Sequence, residues 1–138
     1  MQSIIADETE LLMTTTGECV YLYHLAEPIS NEHTSQHYLG WAPKLAGRDY
    51  HHKQGRGARF TQVAVERGIE FKLVRVWPGA DRNFERELKD QKNLAMLCPH
   101  CAAERKAKRA AQAKEREANR KALAPVVSFV IAFALQYC

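Results

Sequence analysis

The chain has 138 residues and a formal net charge of +4, which is enough for one modest domain with appendages and excludes an assembly of several domains. Residues 1–36 hold six acids and no Lys or Arg, whereas residues 37–100 and residues 101–138 each carry an excess of five positive charges. This distribution favours a polyanion such as nucleic acid as the partner, and a solvated basic surface is the plain alternative. Four cysteines in an irregular pattern, without a signal peptide, indicate a protein of the reducing cytoplasm.

The first part of the chain predicts an arm followed by a β-hairpin. Residues 1–17 are polar, and we expect this arm to be partly disordered, with a short helix packing on the body. Residues 18–25 are rich in β-branched and aromatic side chains, so they predict a strand whose alternation places Tyr21 and Tyr23 on one face. A second strand is expected at residues 37–41, which makes an antiparallel hairpin.

The remaining elements alternate between helix and strand. A helix is expected from Pro43 to about Lys53, and a Gly-rich turn with the basic residues Lys53, Arg56 and Arg59 around it follows. Then come a helix at residues 58–67, a strand at residues 69–77, and a helix that begins at the N-cap Asp81. The prediction is an α+β domain over residues 18–97, with a small three-stranded antiparallel or mixed sheet flanked by helices.

Five short motifs in this domain resemble the signature motifs of the GIY-YIG nuclease superfamily. In chain order they are Cys19-Val20-Tyr21, Tyr38-Leu39-Gly40, Leu45-x-x-Arg48-x-x-x-His52, Phe84-Glu85-Arg86-Glu87-Leu88-Lys89 and Lys92-Asn93. The chain is most similar to small stand-alone members that carry a C-terminal CPxC motif. It departs from the family at Trp41-Ala42, where a Thr or Lys often follows the second triplet.

The resemblance implies a DNA endonuclease that hydrolyses phosphodiester bonds with one Mg²⁺ or Mn²⁺ and leaves a 3′-hydroxyl and a 5′-phosphate. Glu85 would hold the metal ion, and Arg48 would neutralise the scissile phosphate. Tyr21 would orient or deprotonate the attacking water, and Tyr38 would hydrogen-bond the phosphate or the water. His52, one helical turn from Arg48, would relay a proton.

Other interpretations of the same residues stay open. Tyr23 lies on the same face as Tyr21 and is the alternative counterpart, and Glu87 competes with Glu85. Glu85 could instead form an ordinary i,i+4 ion pair with Lys89. Further contacts to nucleic acid are expected from four basic side chains: Lys53, Arg56, Arg59 and Lys89.

The sequence Cys98-Pro99-His100-Cys101 is half of a zinc site. Two more ligands are needed, and His100, an earlier His or the same motif of a second chain in a homodimer could supply them. A redox-active pair and two reduced thiols without a metal are the alternatives.

The C-terminal part of the chain predicts two segments. Residues 98–122 contain the CPHC turn and a charged, basic helical extension, which is either solvated or lies along a polyanion. Residues 123–138 form an apolar tail that is shorter than the roughly 17–25 residues of a membrane span. We expect this tail to be buried against the domain or a partner rather than in a membrane. The alternatives to a nuclease are a catalytically inactive nucleic-acid-binding module of the same fold and a tethered interaction protein.

Overall fold

A computed structural model describes the backbone of residues 1–137 and the side chains of residues 1–125. The chain divides into two compact units, Met1–Ala102 and the residues from Ala103 onward. Each unit is considered by itself below.

The first unit is an α+β domain built on an antiparallel sheet. Its described strands are β1 (Cys19–Leu25), β2 (His37–Ala42) and β3 (Phe71–Pro78), in the order β2-β1-β3. The predicted hairpin is confirmed, with Tyr21 paired to Gly40 and His24 paired to His37. Because β1 is central, it is buried along its whole length, as its apolar and aromatic composition predicts.

Helices cover both faces of this sheet. They are α1 (Glu8–Thr14), α2 (Leu45–Lys53), α3 (Arg59–Glu66), α4 (Arg82–Asp90), α5 (Leu94–Leu97) and the start of α6 (Pro99–Tyr137). The helix predicted from Pro43 begins two residues later, after the N-cap Lys44. The predicted cap of α4 is confirmed, because Asp81 Oδ1 accepts a hydrogen bond of 2.9 Å from the Phe84 amide.

The alternation of β1 divides the core into two clusters. Tyr21, Tyr23 and Leu25 pack on one face of the sheet, as the sequence predicts. Val20 and Leu22 pack on the other face, together with Cys98 from the connection between α5 and α6. The same strand therefore supplies side chains to two separate environments.

The N-terminal arm, for which the sequence predicts partial disorder, carries regular structure. Ile4 and Val76 form an antiparallel bridge with N···O distances of 2.7 and 3.0 Å. The side chain of Leu11 on α1 is fully buried in the core. An ion pair of 2.8 Å between Lys53 Nζ and Glu8 Oε1 joins α1 to α2.

The second unit consists of the helix α6 beyond Ala102. The predicted basic extension is helical, and nearly all of its described side chains are exposed. The packing predicted for the apolar tail lies outside the described residues, because side chains are described only to residue 125. No helix in the described part of the chain combines the length and the apolar character that a bilayer span requires.

Candidate functional site

A groove beside β2, between α2 and α4, is lined in part by three of the five residues predicted to be catalytic: Tyr38, Arg48 and Glu85. We call it the basic groove, and its lining residues are Tyr38, Trp41, Pro43, Arg48, Arg82, Glu85, Arg86 and Lys89. Its volume is about 610 Å³. Arg48 and the carboxylate of Glu85 therefore share one cleft, although they lie on different helices.

Tyr21 is fully buried and packs against the groove residue Tyr38, with 6.3 Å between the two ring centroids. The His52 ring lies beside both, with its centroid 5.8 Å from that of Tyr21 and 5.5 Å from that of Tyr38. The positive charge of Arg48 is close enough to influence all three groups. We call Tyr21, Tyr38, Arg48 and His52 the phenol cluster. Four of the five residues predicted to be catalytic thus lie close together, and Glu85 lies in the adjoining groove.

The hydrogen bonds of His52 fix which ring nitrogen carries the proton. Thr61 Oγ1 donates its single proton to the Ala58 carbonyl at 2.9 Å, so it accepts the bond of 2.7 Å from His52 Nδ1. Nδ1 is therefore protonated and Nε2 is an acceptor. The Tyr21 hydroxyl consequently donates its proton to Nε2, with 2.6 Å between Tyr21 Oη and His52 Nε2.

Burial controls the ionisation of this pair. Burial, followed by the positive charges of Arg48 and Lys53, lowers the pKa of His52 to about 4. The imidazole is therefore neutral near pH 7 and its Nε2 accepts the hydrogen bond from Tyr21, while the same causes disfavour its protonation. Burial also raises the pKa of Tyr21 above its ordinary value, while the charge of Arg48 acts in the opposite direction. The Tyr21 phenol therefore keeps its proton, which is directed at His52 Nε2.

Two glycines allow the rings of the phenol cluster to approach the backbone. A Cβ on Gly40 would lie 2.4 Å from Tyr21 Oη, and a Cβ on Gly57 would lie 2.0 Å from His52 Nδ1. The Tyr21 ring from the neighbouring strand occupies the space that a side chain at position 40 would need. Glycine in the second triplet is thus explained by packing across the hairpin.

Glu85 forms the i,i+4 ion pair with Lys89 that the sequence also permitted. Its side chain is only 18% exposed, and it is the one acid among the described residues lining the basic groove. Glu87, its competitor in the sequence, is exposed and is not part of that lining. The carboxylate of Glu85 and four cationic side chains therefore face the same cleft.

Tyr23 has a different environment from Tyr21. Its hydroxyl donates a hydrogen bond of 2.6 Å to Asp49 Oδ1. Burial raises the pKa of Asp49, and the hydrogen bond from Tyr23 opposes that shift. Asp49 was not singled out from the sequence, because a lone acid on a helix gives no signal of a buried tyrosine partner.

The other predicted nucleic-acid contacts lie apart from the lining of the basic groove, except for Lys89. Lys53 donates to the Phe71 carbonyl and pairs with Glu8. Arg56 lies over the Tyr50 ring, 5.8 Å from its centroid, and Arg59 pairs with Glu66 at 3.9 Å on an exposed surface. Asn93, which closes the last motif, has a buried Oδ1 without a hydrogen-bond partner among the described residues.

A second cluster lies on the opposite face of the hairpin. We call it the His–Cys cluster, and it consists of His24, His37, Cys98 and Cys101. One ligand atom from each residue lies within 4.8 Å of the others, so the cluster can hold a metal ion. The half-site at Cys98 and Cys101 was found in the sequence, and an earlier histidine was among the partners considered, but neither His24 nor His37 was named. Two histidines that pair across a predicted hairpin were the available signal.

Comparisons with known proteins give no assignment. No family model, curated protein or solved structure matches this chain. The function must therefore be argued from the residues and their geometry.

Proposed function

We propose that this chain is a GIY-YIG-type endonuclease that hydrolyses phosphodiester bonds in DNA. The observation that carries the proposal is the convergence of Arg48, Glu85 and Tyr38 on the basic groove, with Tyr21 and His52 directly beneath. The motif order in the sequence supports the same assignment. These residues are far apart along the chain, and only the fold brings them to one cleft.

Arg48 would bind the scissile phosphate. Its planar guanidinium can donate two parallel hydrogen bonds to phosphoryl oxygens and compensate the charge that develops on them. The positive charge of the same side chain also acts on the Tyr21 phenol, so one group would influence both phosphate and phenol. Arg82, Arg86 and Lys89 line the rest of the cleft and would contact neighbouring phosphates without reading bases.

Tyr21 and His52 would accept the proton of the attacking water. As the water oxygen bonds to phosphorus, its proton passes to Tyr21 Oη while the phenolic proton passes to His52 Nε2. The bond from phosphorus to the 3′ oxygen breaks, and that oxygen takes up a proton from solvent. His52 Nδ1 stays bonded to Thr61, which keeps the imidazole in the required tautomer.

Glu85 fits the single divalent cation that this reaction class uses. Mg²⁺ and Mn²⁺ prefer oxygen ligands and are often held by one carboxylate together with water and substrate phosphate. When bound, the ion would add Lewis-acid stabilisation of the phosphoryl oxygens. Lys89 pairs with the same carboxylate and would have to release one of its oxygens.

That ion pair also favours a second candidate function. If Lys89 stays on Glu85, the groove is a cationic cleft without a metal ligand, and the chain is a nucleic-acid-binding module of the same fold. A nicking assay separates the two functions. Supercoiled plasmid is incubated with the full chain in Mg²⁺ or Mn²⁺, and its conversion to open circles is followed.

Glu85→Gln and Glu87→Gln are the matched variants. Glu85→Gln should retain DNA binding and lose nicking by about 10²-fold or more, because a neutral amide is a poor ligand for Mg²⁺. Glu87→Gln should behave like wild type, since this side chain lies outside the groove lining. DNA binding without nicking by the wild-type protein in either metal ion would refute the nuclease and leave the binding module.

A further inference from the structure

We propose that the His–Cys cluster binds one structural Zn²⁺ that fastens the start of α6 to the β1–β2 hairpin. The four residues are separate from the lining of the basic groove. This proposal therefore stands or falls independently of the nuclease assignment.

Four of the six separations between ligand atoms are close to those of a tetrahedron around zinc, and all six are within 4.8 Å. With Zn–N of about 2.0–2.1 Å and Zn–S of about 2.3 Å, tetrahedral geometry puts two nitrogens about 3.3 Å apart and a nitrogen and a sulfur about 3.6 Å apart. His24 Nδ1 and His37 Nε2 are separated by 3.2 Å. Cys98 Sγ and Cys101 Sγ lie 3.6 and 3.7 Å from His24 Nδ1, and Cys101 Sγ lies 3.3 Å from His37 Nε2.

The fold delivers these atoms from two directions. The register of the hairpin pairs His24 with His37, so both imidazoles leave adjacent strands at one level. Cys98 is the C-cap of α5, and Cys101 lies in the first turn of α6, so both thiols come from one tight connection. Arg75 Nη1 donates to the Leu97 carbonyl at 3.0 Å, which holds that connection against β3.

The donors and their burial indicate a structural rather than a catalytic ion. Two imidazoles and two thiols complete the four positions of a tetrahedral site and leave none open for water. His24 and His37 are each 8% exposed, and Cys98 is fully buried. The ring of His100 lies beside that of His24, with centroids 4.4 Å apart, on the same side of the sheet. Nitrogen and sulfur ligands in this arrangement favour Zn²⁺ over Mg²⁺ or Ca²⁺.

A disulfide between Cys98 and Cys101 is the competing interpretation. Cys98 and Cys101 are both free cysteines, and a disulfide would involve only the two sulfurs and neither imidazole. A zinc ion accounts for all four side chains together.

The test begins with the full chain purified without added metal. Elemental analysis should find one zinc per chain, and removal by a strong chelator should lower the melting temperature by about 10 °C or more, because the folded state loses a bound ligand. Replacement by Co²⁺ should produce the thiolate charge-transfer band and the intense visible absorption of tetrahedral S₂N₂ cobalt. Zinc-free protein whose cobalt spectrum shows only the hydrated ion would overturn the proposal.

Four variants separate ligand loss from loss of stability. His37→Ala and Cys101→Ser should reduce bound metal by about 10-fold or more, as each removes one ligand. His33→Ala changes an exposed histidine outside the cluster and should keep one zinc per chain. Cys19→Ala changes a buried cysteine outside the cluster and should also keep its metal even if it melts earlier.

Equal metal content in all four variants would overturn the proposal. Should His37→Ala or Cys101→Ser fail to fold, the cobalt spectrum of the wild-type chain gives the answer by itself.

Discussion

The two faces of the β1–β2 hairpin each carry a buried polar cluster, but the two clusters are satisfied in different ways. In the phenol cluster the hydrogen bonds run outward, from Tyr21 through His52 and Thr61 to the Ala58 carbonyl. In the His–Cys cluster the ligand atoms face one another within 4.8 Å. Buried polar groups need partners; the first set forms a hydrogen-bonded chain, and in the second set four donor atoms converge on one point.

The comparison shows how neighbours decide what a histidine can do. His52 lies between two hydroxyls, which fix its tautomer and leave Nε2 as a proton acceptor. His24 and His37 lie against two thiols and each other, which is the environment of a metal ligand. One residue type thus supplies acid–base chemistry on one face and a structural site on the other. Variants at Arg48, Tyr21 and Gly40 change the phenol cluster, and their zinc content shows whether the His–Cys cluster is affected.

Arg48→Ala should have the largest effect. Because Arg48 would compensate charge on the phosphate and its own charge also acts on Tyr21, we expect nicking to fall by about 10³-fold with a much smaller loss of DNA binding. Single-turnover cleavage and a binding titration measure the two effects. Arg59→Ala is the control, since Arg59 is exposed and pairs with Glu66. Wild-type cleavage by Arg48→Ala would contradict the proposed role, and loss of zinc would show that the two clusters are coupled.

Tyr21→Phe should have the next largest effect. It removes the hydroxyl that links the groove to His52, and we expect nicking to fall by about 10²-fold. Tyr50→Phe is the control, because Tyr50 is exposed. A similar loss in both variants would argue against a proton path through Tyr21. Metal content should be the same in the two proteins, as both residues lie outside the His–Cys cluster.

The pKa of His52 predicts how stability depends on pH. Its folded value of about 4 lies below the ordinary 6.5, so between these values the unfolded chain binds a proton that the folded chain does not. The associated stability, about 3 kcal/mol at most, is present above pH 6.5 and is lost as the pH falls through this window to about 4. Denaturant unfolding of wild type and His52→Gln at several pH values measures this free energy. The free energy of unfolding of the variant should fall less than that of wild type as the pH is lowered over this range.

His33→Gln is the control for that measurement, because His33 is exposed and is not among the charged groups that act on His52. We expect it to keep the wild-type dependence of stability on pH. A His52 ring that titrates near 6.5 by NMR would contradict the lowered pKa. A neutral ring protonated at Nε2 would contradict the tautomer assigned from Thr61.

Much of the fold follows from local patterns in the sequence. The alternation of residues 18–25 predicted which side chains share a face, and both faces are found as predicted. The sequence did not reveal the order β2-β1-β3 or the bridge between Ile4 and Val76, because these are long-range pairings that no local periodicity encodes. In the N-terminal arm, the short helix packing on the body was predicted and is present as α1, with Leu11 buried.

The candidate sites show the same limit. Tyr21 and Tyr23 lie on one face, so alternation could not distinguish them, and their different partners, His52 and Asp49, do so. His24 is 74 residues from Cys98, and spacing rules for zinc ligands assume ligands that are closer in sequence. The hairpin register, once the strands are aligned, is what places His24 beside His37.

The smallest predicted effect uses two glycines that differ in their surroundings. Gly40→Ala should destabilise the fold by about 1–3 kcal/mol, because the new methyl group would overlap Tyr21 Oη. Gly47→Ala should instead stabilise it by about 0.5–1 kcal/mol, since Gly47 lies inside α2 with open space around it. Denaturant unfolding measures both. Gly40 faces the phenol cluster, so Gly40→Ala should reduce nicking and keep its zinc. A variant that lost zinc but kept nicking would show that the substitution disturbs the His–Cys cluster instead.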